Sequence, residues 1–244
     1  MDSLRSVTSV FCCSCCSDVG NSSEDERQPL LLPQSVKQVS RAATSPQDLK
    51  CLAEKDNRLT PKYVGVPGID KNFIDIAEMF NQQQEDYKTM RECLRSLKDS
   101  YRCSHGDGLS ECLMKIKDEH SAHRPNLEMK GYEFSLALSS DKVPEKLEKA
   151  QDWLKTLCVA SKAITAKSTK LQEIIKWVLQ SEEDFMQQVK KASPNFLDQQ
   201  RVEGNLKENV KEVKRAKELS KKYGQEASDL LNEVVHLTSA SCNP

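Results

Sequence analysis

Phe73, Phe80, Tyr87, Leu94 and Tyr101 recur at every seventh residue, with Ile76, Met90 and Leu97 at the intervening core positions and Gln83 as the one polar break. A seven-residue period filled at two positions predicts a helix with a buried seam. Asp70 is a residue type that caps helix N-termini, and His105-Gly106-Asp107-Gly108 ends the pattern, which gives a first helix of about thirty residues. A second, weaker helix is expected from near Ser110, with Cys112, Leu113 and Ile116 on one face. His123-Arg124-Pro125 interrupts it, since proline lacks an amide donor and disfavours helix at the residue before it. Between Leu127 and Ser140 the period changes: Tyr132, Phe134, Leu136 and Leu138 alternate as strand residues do. No partner strand is visible, so the segment is read as a helix or an extended packing segment.

The third helix carries the strongest signal. Leu147, Ala150, Leu154, Leu157, Ile164, Leu171, Ile175, Val178, Phe185 and Val189 follow a three-and-four spacing that only Ser161, Ser168 and Glu182 break. Asp141 stands as its cap, with Pro144 in the first turn. Trp153, Ala160 and Ile174 widen the stripe on one side and Cys158, Leu179 and Met186 on the other. A helix apolar beyond its seam touches more than one neighbour. Ser193-Pro194 reverses the chain, and a fourth helix returns with Val202, Leu206, Val213, Ala216, Tyr223, Ala227, Leu230, Val234 and Leu237 inward. Each arm of this hairpin is about 45 residues, roughly 65 to 70 Å if straight. No repeat of fixed length appears, which excludes a solenoid. The expected fold is all-α: an elongated three- to four-helix bundle over residues 66–240, built on a long antiparallel helical hairpin with coiled-coil-like packing.

Residues 1–65 show no sustained period. They are rich in Ser, Pro, Gln and charge, with Ser45-Pro46 and Val66-Pro67-Gly68 as turn formers. Such a segment buries too little to offset its ordering entropy, so a disordered tail is expected, with one short helix over 46–55 capped by Ser45.

Composition narrows the function classes. Thirty-six basic and 37 acidic side chains balance, which gives no argument for nucleic acid, and 30% charged with 5% aromatic residues fits long solvated helical faces. Ten cysteines would suggest a disulfide framework in a secreted chain. Residues 7–16 are too short and too rich in Ser and Cys for a signal core, however, and no run of 18 or more apolar residues exists to span a membrane, so a cytosolic chain with reduced thiols is expected. Cys93, Cys103, His105, Cys112, His120 and His123 invite a metal reading, but only Cys103-Ser104-His105 and the His120/His123 pair approach ligand spacing, and no metal or cofactor is expected. Neither a GxSxG elbow, a glycine-rich phosphate loop nor HExxH is present, and His236 lies on an apolar helix as a partly exposed packing residue; the chain reads as non-enzymatic.

One charged stretch departs from the balance. Between Arg201 and Lys222, eight basic residues face four acidic ones, an excess of four. Lys207, Lys211, Lys214 and Lys221 share a flank of the fourth helix, which makes them candidate contacts for anionic lipid or an acidic partner.

The tail carries two further signals. Cys12, Cys13, Cys15 and Cys16 are too crowded for a mononuclear metal site without further ligands, and lie beside Val7, Val10 and Phe11 as reversibly S-acylated cysteines do. Asp2 rules out N-myristoylation. One acyl chain holds a protein only marginally, whereas two or more attach it stably, so four thiols can supply an anchor. Ten residues on, Glu26-Arg27-Gln28-Pro29-Leu30-Leu31 resembles the acidic dileucine sorting signal. The resemblance covers six residues. It implies recognition by clathrin adaptor complexes, with Glu26 against a basic patch and Leu30 and Leu31 in apolar pockets, and delivery to endosomes or lysosomes.

An anchor followed by an address suggests a lipid-anchored peripheral scaffold or adaptor on the cytoplasmic face of endosomal or lysosomal membranes, with a protein partner for the bundle. The alternatives are a cytosolic helical-bundle regulator whose tail is incidental, or a bundle that perturbs membranes through its basic face.

Overall fold

The computed structural model describes residues 57–240 apart from 105, 107, 140, 141 and 194. The turn residues His105 and Asp107, the cap expected at Asp141, Pro194 of the expected reversal, the short helix expected over 46–55, the cysteine cluster and the dileucine signal all lie outside the described residues. Within them the chain is mostly helical, as its periodicity predicts. Helix α1 (Pro67–Ser100) is followed by α2 (Leu109–Glu119), a single 3-10 turn (Ser121–His123), strands β1 (Asn126–Lys130) and β2 (Glu133–Ala137), and helices α3 (Glu145–Gln180), α4 (Glu182–Ala192) and α5 (Phe196–Ala240).

The seam of α1 lies where the heptad puts it: Phe73, Ile76, Phe80, Tyr87, Met90 and Leu97 are buried, and so is Tyr101 just beyond. Its start differs from the expectation. Val66 occupies the cap position and Pro67 opens the helix, because proline has no amide to leave unpaired there. Asp70 sits a turn inside, where its Oδ1 accepts the amide of Val64 at 2.8 Å.

Helix α3 runs antiparallel to α1, with Asp86 beside Lys167 and Asn72 across from Ile174 and Trp177. It also runs antiparallel to α5, where Gln172 reaches the carbonyl of Lys217 and Ser168 that of Ser220. The two helices approach closely at Gly224, whose added Cβ would lie 2.8 Å from that of Ser168, so only glycine fits this crossing. The serines that break the α3 stripe answer themselves locally: buried Ser161 donates to the carbonyl of Leu157 at 2.8 Å, and Ser168 makes the bond to α5. Buried Gln83 donates to the carbonyl of Ile164 at 3.2 Å, which turns the polar break in the heptad into an α1–α3 link. On the other side of α1, the Tyr87 and Tyr223 rings stack at 4.0 Å and Tyr87 donates to Glu226 at 2.6 Å.

Three sequence expectations need correction. Residues 127–140 are neither helix nor a lone extended segment: β2 has a partner immediately before it, β1, with Leu127 opposite Leu136 and Met129 opposite Phe134. Gly131, at φ +65°, takes the first position of the two-residue turn, a conformation that costs a residue without Cβ nothing. The hairpin lies against α3, where Gln151 donates to the carbonyl of Leu136 and the amide of Phe134 meets Cys158 Sγ. The third helix is not continuous either. Ser181, at φ −93° and ψ 6°, divides α3 from α4, and the acidic run Glu182-Glu183-Asp184 begins α4, where the helix dipole favours negative charge. The bend lets the Trp177 and Phe185 rings meet edge to face at 5.7 Å.

Thirdly, residues 57–65, placed in the tail by their composition, form an extended strap on α1 and α5. Leu59 and Val64 are buried. Asn81 of α1 pairs both backbone groups of Leu59, at 2.7 and 3.0 Å, and Asn209 of α5 pairs both of Lys62, at 2.8 and 2.7 Å. Each side-chain amide thus does for the strap what a neighbouring strand would do, and leaves no buried backbone group unpaired at these positions.

Candidate functional site

Helix α5 turns its apolar residues inward from Val202 to Val234 and leaves the opposite flank to solvent. Lys207, Lys211, Lys214 and Lys221 are all exposed on that flank. Lys214 reaches Glu182 across the α4–α5 groove at 3.3 Å. Lys207, Lys211 and Lys221 have no ion-pair partner among the described residues. The nearby carboxylates are answered elsewhere: Glu208 by Lys62 at 2.6 Å, Glu212 by Arg215 at 2.7 Å and Glu203 by Gln199 at 2.9 Å. The lysines therefore gather on one solvated face, which they share with Glu203 and Glu218.

The corner between α4 and α5 adds residues the sequence reading did not single out. Asn195 caps α5: its Oδ1 accepts the amide of Asp198 at 2.9 Å while its Nδ2 donates to Asp198 Oδ2 at 2.7 Å. This reciprocal pair fixes the first turn of α5, as a capping box does. Phe196 and Leu197, inside that turn, are 69% and 76% exposed. Lys190 and Lys191, at the end of α4, are exposed beside them. A pocket of about 160 Å³ lined by Tyr63, Ala192, Asp198 and Arg201 lies against the same corner.

A larger, open groove of about 380 Å³ runs between α1 and α3, lined by Asn72, Asp75, Glu173, Ile174 and half-exposed Trp177. Asp75 is paired there with Lys71 at 2.7 Å, which leaves Glu173 as the groove's carboxylate without an ion-pair partner among the described residues.

The far end of the same helices carries a polar cluster. Buried His120 faces the Tyr101 hydroxyl at 3.2 Å. Lys146 Nζ lies 4.3 Å above the Tyr101 ring and binds Glu119 with both carboxylate oxygens, at 2.6 and 2.7 Å. That ion pair holds the Glu119 carboxyl below its ordinary range. Burial, reinforced by Glu119, pushes the Tyr101 phenol up to about 12. Burial also pushes the His120 imidazole below its usual value, against the opposing pull of Glu119. A histidine held neutral in the folded state stabilises it fully above about pH 6.5, the unfolded value. As pH falls through the lower folded value that contribution is lost, because the unfolded chain takes up the proton first. Melting temperatures measured from about pH 7 to 5 should fall more steeply for wild type than for His120→Gln. Parallel curves would show that His120 does not contribute.

Among the described residues no three His, Cys, Asp or Glu side chains lie together so as to hold a metal ion, and no helix is long and apolar enough to cross a membrane. Cys112 is wholly buried, and burial raises the thiol pKa of Cys93; both occupy packing positions. His236 is exposed. The lipidation candidates Cys12, Cys13, Cys15 and Cys16 and the signal residues Glu26, Leu30 and Leu31 fall outside the described residues. Compared with known proteins, the chain matches no family model, no curated sequence and no solved structure.

Proposed function

We propose that the protein is a non-enzymatic, lipid-anchored scaffold or adaptor on the cytoplasmic face of endosomal or lysosomal membranes, its helices packed as a coiled-coil-like bundle that presents docking faces to a protein partner. The observation that carries this reading is the set of four thiols, Cys12, Cys13, Cys15 and Cys16, placed ten residues before the acidic dileucine-like Glu26–Leu31. The two features reinforce each other physically. A clathrin adaptor complex already on the membrane meets a signal tethered to that surface at high effective concentration, so modest intrinsic affinity suffices. The helical unit suits a scaffold, with long faces carrying an open groove on one side and a lysine-bearing flank on another.

The full-length protein in cells should incorporate a thioester-linked acyl label that hydroxylamine removes. Changing Cys12, Cys13, Cys15 and Cys16 to Ser should abolish the label and shift the protein towards the soluble fraction, since stable attachment takes two signals and the acyl chains would be lost. A quadruple variant that labels and sediments like wild type would sink the anchor.

A further inference from the structure

We propose that the α4–α5 corner is a second membrane contact, in which Phe196 and Leu197 enter an anionic bilayer surface while Lys190, Lys191, Lys207 and Lys211 bind its headgroups. The inference rests on the proposed function only in taking a membrane as the partner; its chemistry is independent of the acyl chains.

Two large apolar side chains at 69% and 76% exposure, adjacent in sequence and held out by a reciprocal cap, are an unusual use of a helix start. Scattered exposed hydrophobics are ordinary on a protein surface. These two differ in their surroundings. At about 100° per residue, Phe196 and Leu197 fall on the flank of α5 that also carries Lys207, Lys211 and Lys214. Lys190 and Lys191 reach the same corner from α4, exposed and without an ion-pair partner among the described residues. An apolar tip with unpaired lysines beside it and along the adjoining helix face matches a bilayer interface, whose headgroups are anionic and whose acyl boundary lies just beneath them.

Most acidic side chains of this region are held by cationic partners; Glu203, on the same flank, is met only by the neutral amide of Gln199, and Lys190, Lys191, Lys207 and Lys211 outnumber it. Asp198 is held in the cap and by Arg201, Glu208 by Lys62 and Glu212 by Arg215. Glu218, which shares the lysine flank and is exposed, stands about 30 Å along α5 from Leu197, beyond the depth of a headgroup layer. The charge pattern therefore favours tilted docking, with the corner inserted and the first half of α5 along the surface. It also selects this end over the Trp177 groove, where Asp75 is already paired with Lys71 at 2.7 Å and Glu173 adds negative and not positive charge.

The test uses the purified full chain produced without acyl groups, with vesicles of phosphatidylcholine alone and with about one-third phosphatidylserine. Wild type should cosediment with the phosphatidylserine vesicles and be released as salt rises from about 0.05 to 0.5 M. Phe196→Ser with Leu197→Ser should lower the partition coefficient at least about tenfold, and Lys190→Ala with Lys191→Ala about fivefold per lysine. Melting curves of these variants should overlay wild type, because the side chains changed are exposed. Phe196→Trp should shift its emission to the blue on phosphatidylserine vesicles only. The proposal is overturned if wild type stays in the supernatant, if neutral vesicles bind it equally, or if the serine pair binds like wild type. Self-association that is lost in the serine pair would assign the corner to a second copy of the chain and also overturn it. A wild-type chain that takes up no acyl label in cells, by contrast, would sink the lipid anchor and leave the vesicle result standing.

Discussion

Leu171→Asp is expected to leave the chain without a cooperative unfolding transition. Leu171 is fully buried in the C-terminal third of α3, the helix that packs against both α1 and α5. Replacing it removes the transfer free energy of a buried leucine and leaves an unmatched space, together about 2 to 5 kcal/mol. It also places a carboxylate among apolar neighbours, where an uncompensated charge costs about 3 to 5 kcal/mol more. The sum is comparable with the whole stability of an ordinary domain, about 5 to 15 kcal/mol. Local rearrangement offers little relief, because Ile164, Ile175 and Val178 on the same face are equally enclosed. Far-ultraviolet circular dichroism at room temperature should show most of the helix signal gone, and thermal melts should be broad and featureless. Leu171→Met is the control: it keeps the volume, should cost under about 1.5 kcal/mol, and should melt as a single step. A Leu171→Asp chain that melts cooperatively near the wild-type temperature would mean that α3 is not the element on which the core depends.

The same residue shows why the helices were legible. Leu171 belongs to a stripe whose period alone states helix and face, and the stripes read from the chain coincide with the buried residues of α1, α3 and α5. Short-range patterning was decisive there because each helix repeats its message over many turns. Where a segment is short, the message has no room to repeat. Strand β1 offers two apolar residues, Leu127 and Met129, among Asn126, Glu128 and Lys130, and Met129 is only half-buried; nothing in that pattern exceeds chance. The usable signal was Gly131 between Lys130 and Glu133, a two-residue turn whose first member must tolerate positive φ. The strap over 57–65 was hidden for another reason. Its partners are the side chains of Asn81 and Asn209, far away in sequence, and an asparagine on a helix does not announce that it will bind another segment's backbone. Asn209 does interrupt an otherwise apolar face between Leu206 and Val213, a sign that something polar waits opposite.

The corner is not legible from the stripe, which starts at Val202 and leaves Phe196 and Leu197 before it. Their phase differs: counted in turns of 3.6 residues, Val202 lies about 120° from Phe196 and about 140° from Leu197, and Leu206 about 80° and about 180° from them. Hydrophobicity without phase assigns such residues to the core, and phase returns them to the surface. The lysines were the reverse case. Their flank was evident from spacing, but which of them lack partners depends on Lys62, Glu182 and Arg215, which lie outside the stripe.

Changing Leu30 and Leu31 to Ala is expected to redistribute the protein from endosomes or lysosomes towards the plasma membrane or Golgi, while acylation and membrane attachment persist because Cys12, Cys13, Cys15 and Cys16 are untouched. The expected size follows from what an adaptor would bury. Two leucine side chains withdrawn from apolar pockets forfeit roughly 3 to 6 kcal/mol, a loss of more than about a hundredfold in affinity, which tethering at the membrane cannot offset because it multiplies the affinity of wild type and variant alike. Glu26→Ala removes one solvent-exposed charge contact, worth under about 1 kcal/mol, so it should shift the distribution in the same direction and by much less. The ranking separates a sorting signal from a general effect of altering the segment, since a merely structural disturbance has no reason to order leucine above glutamate. Imaging both variants beside endolysosomal markers, with the acyl label measured on the same cells, reads it. An unchanged distribution for the double-leucine variant would mean that Glu26–Leu31 is a chance match and that the thiols act as an anchor without an address.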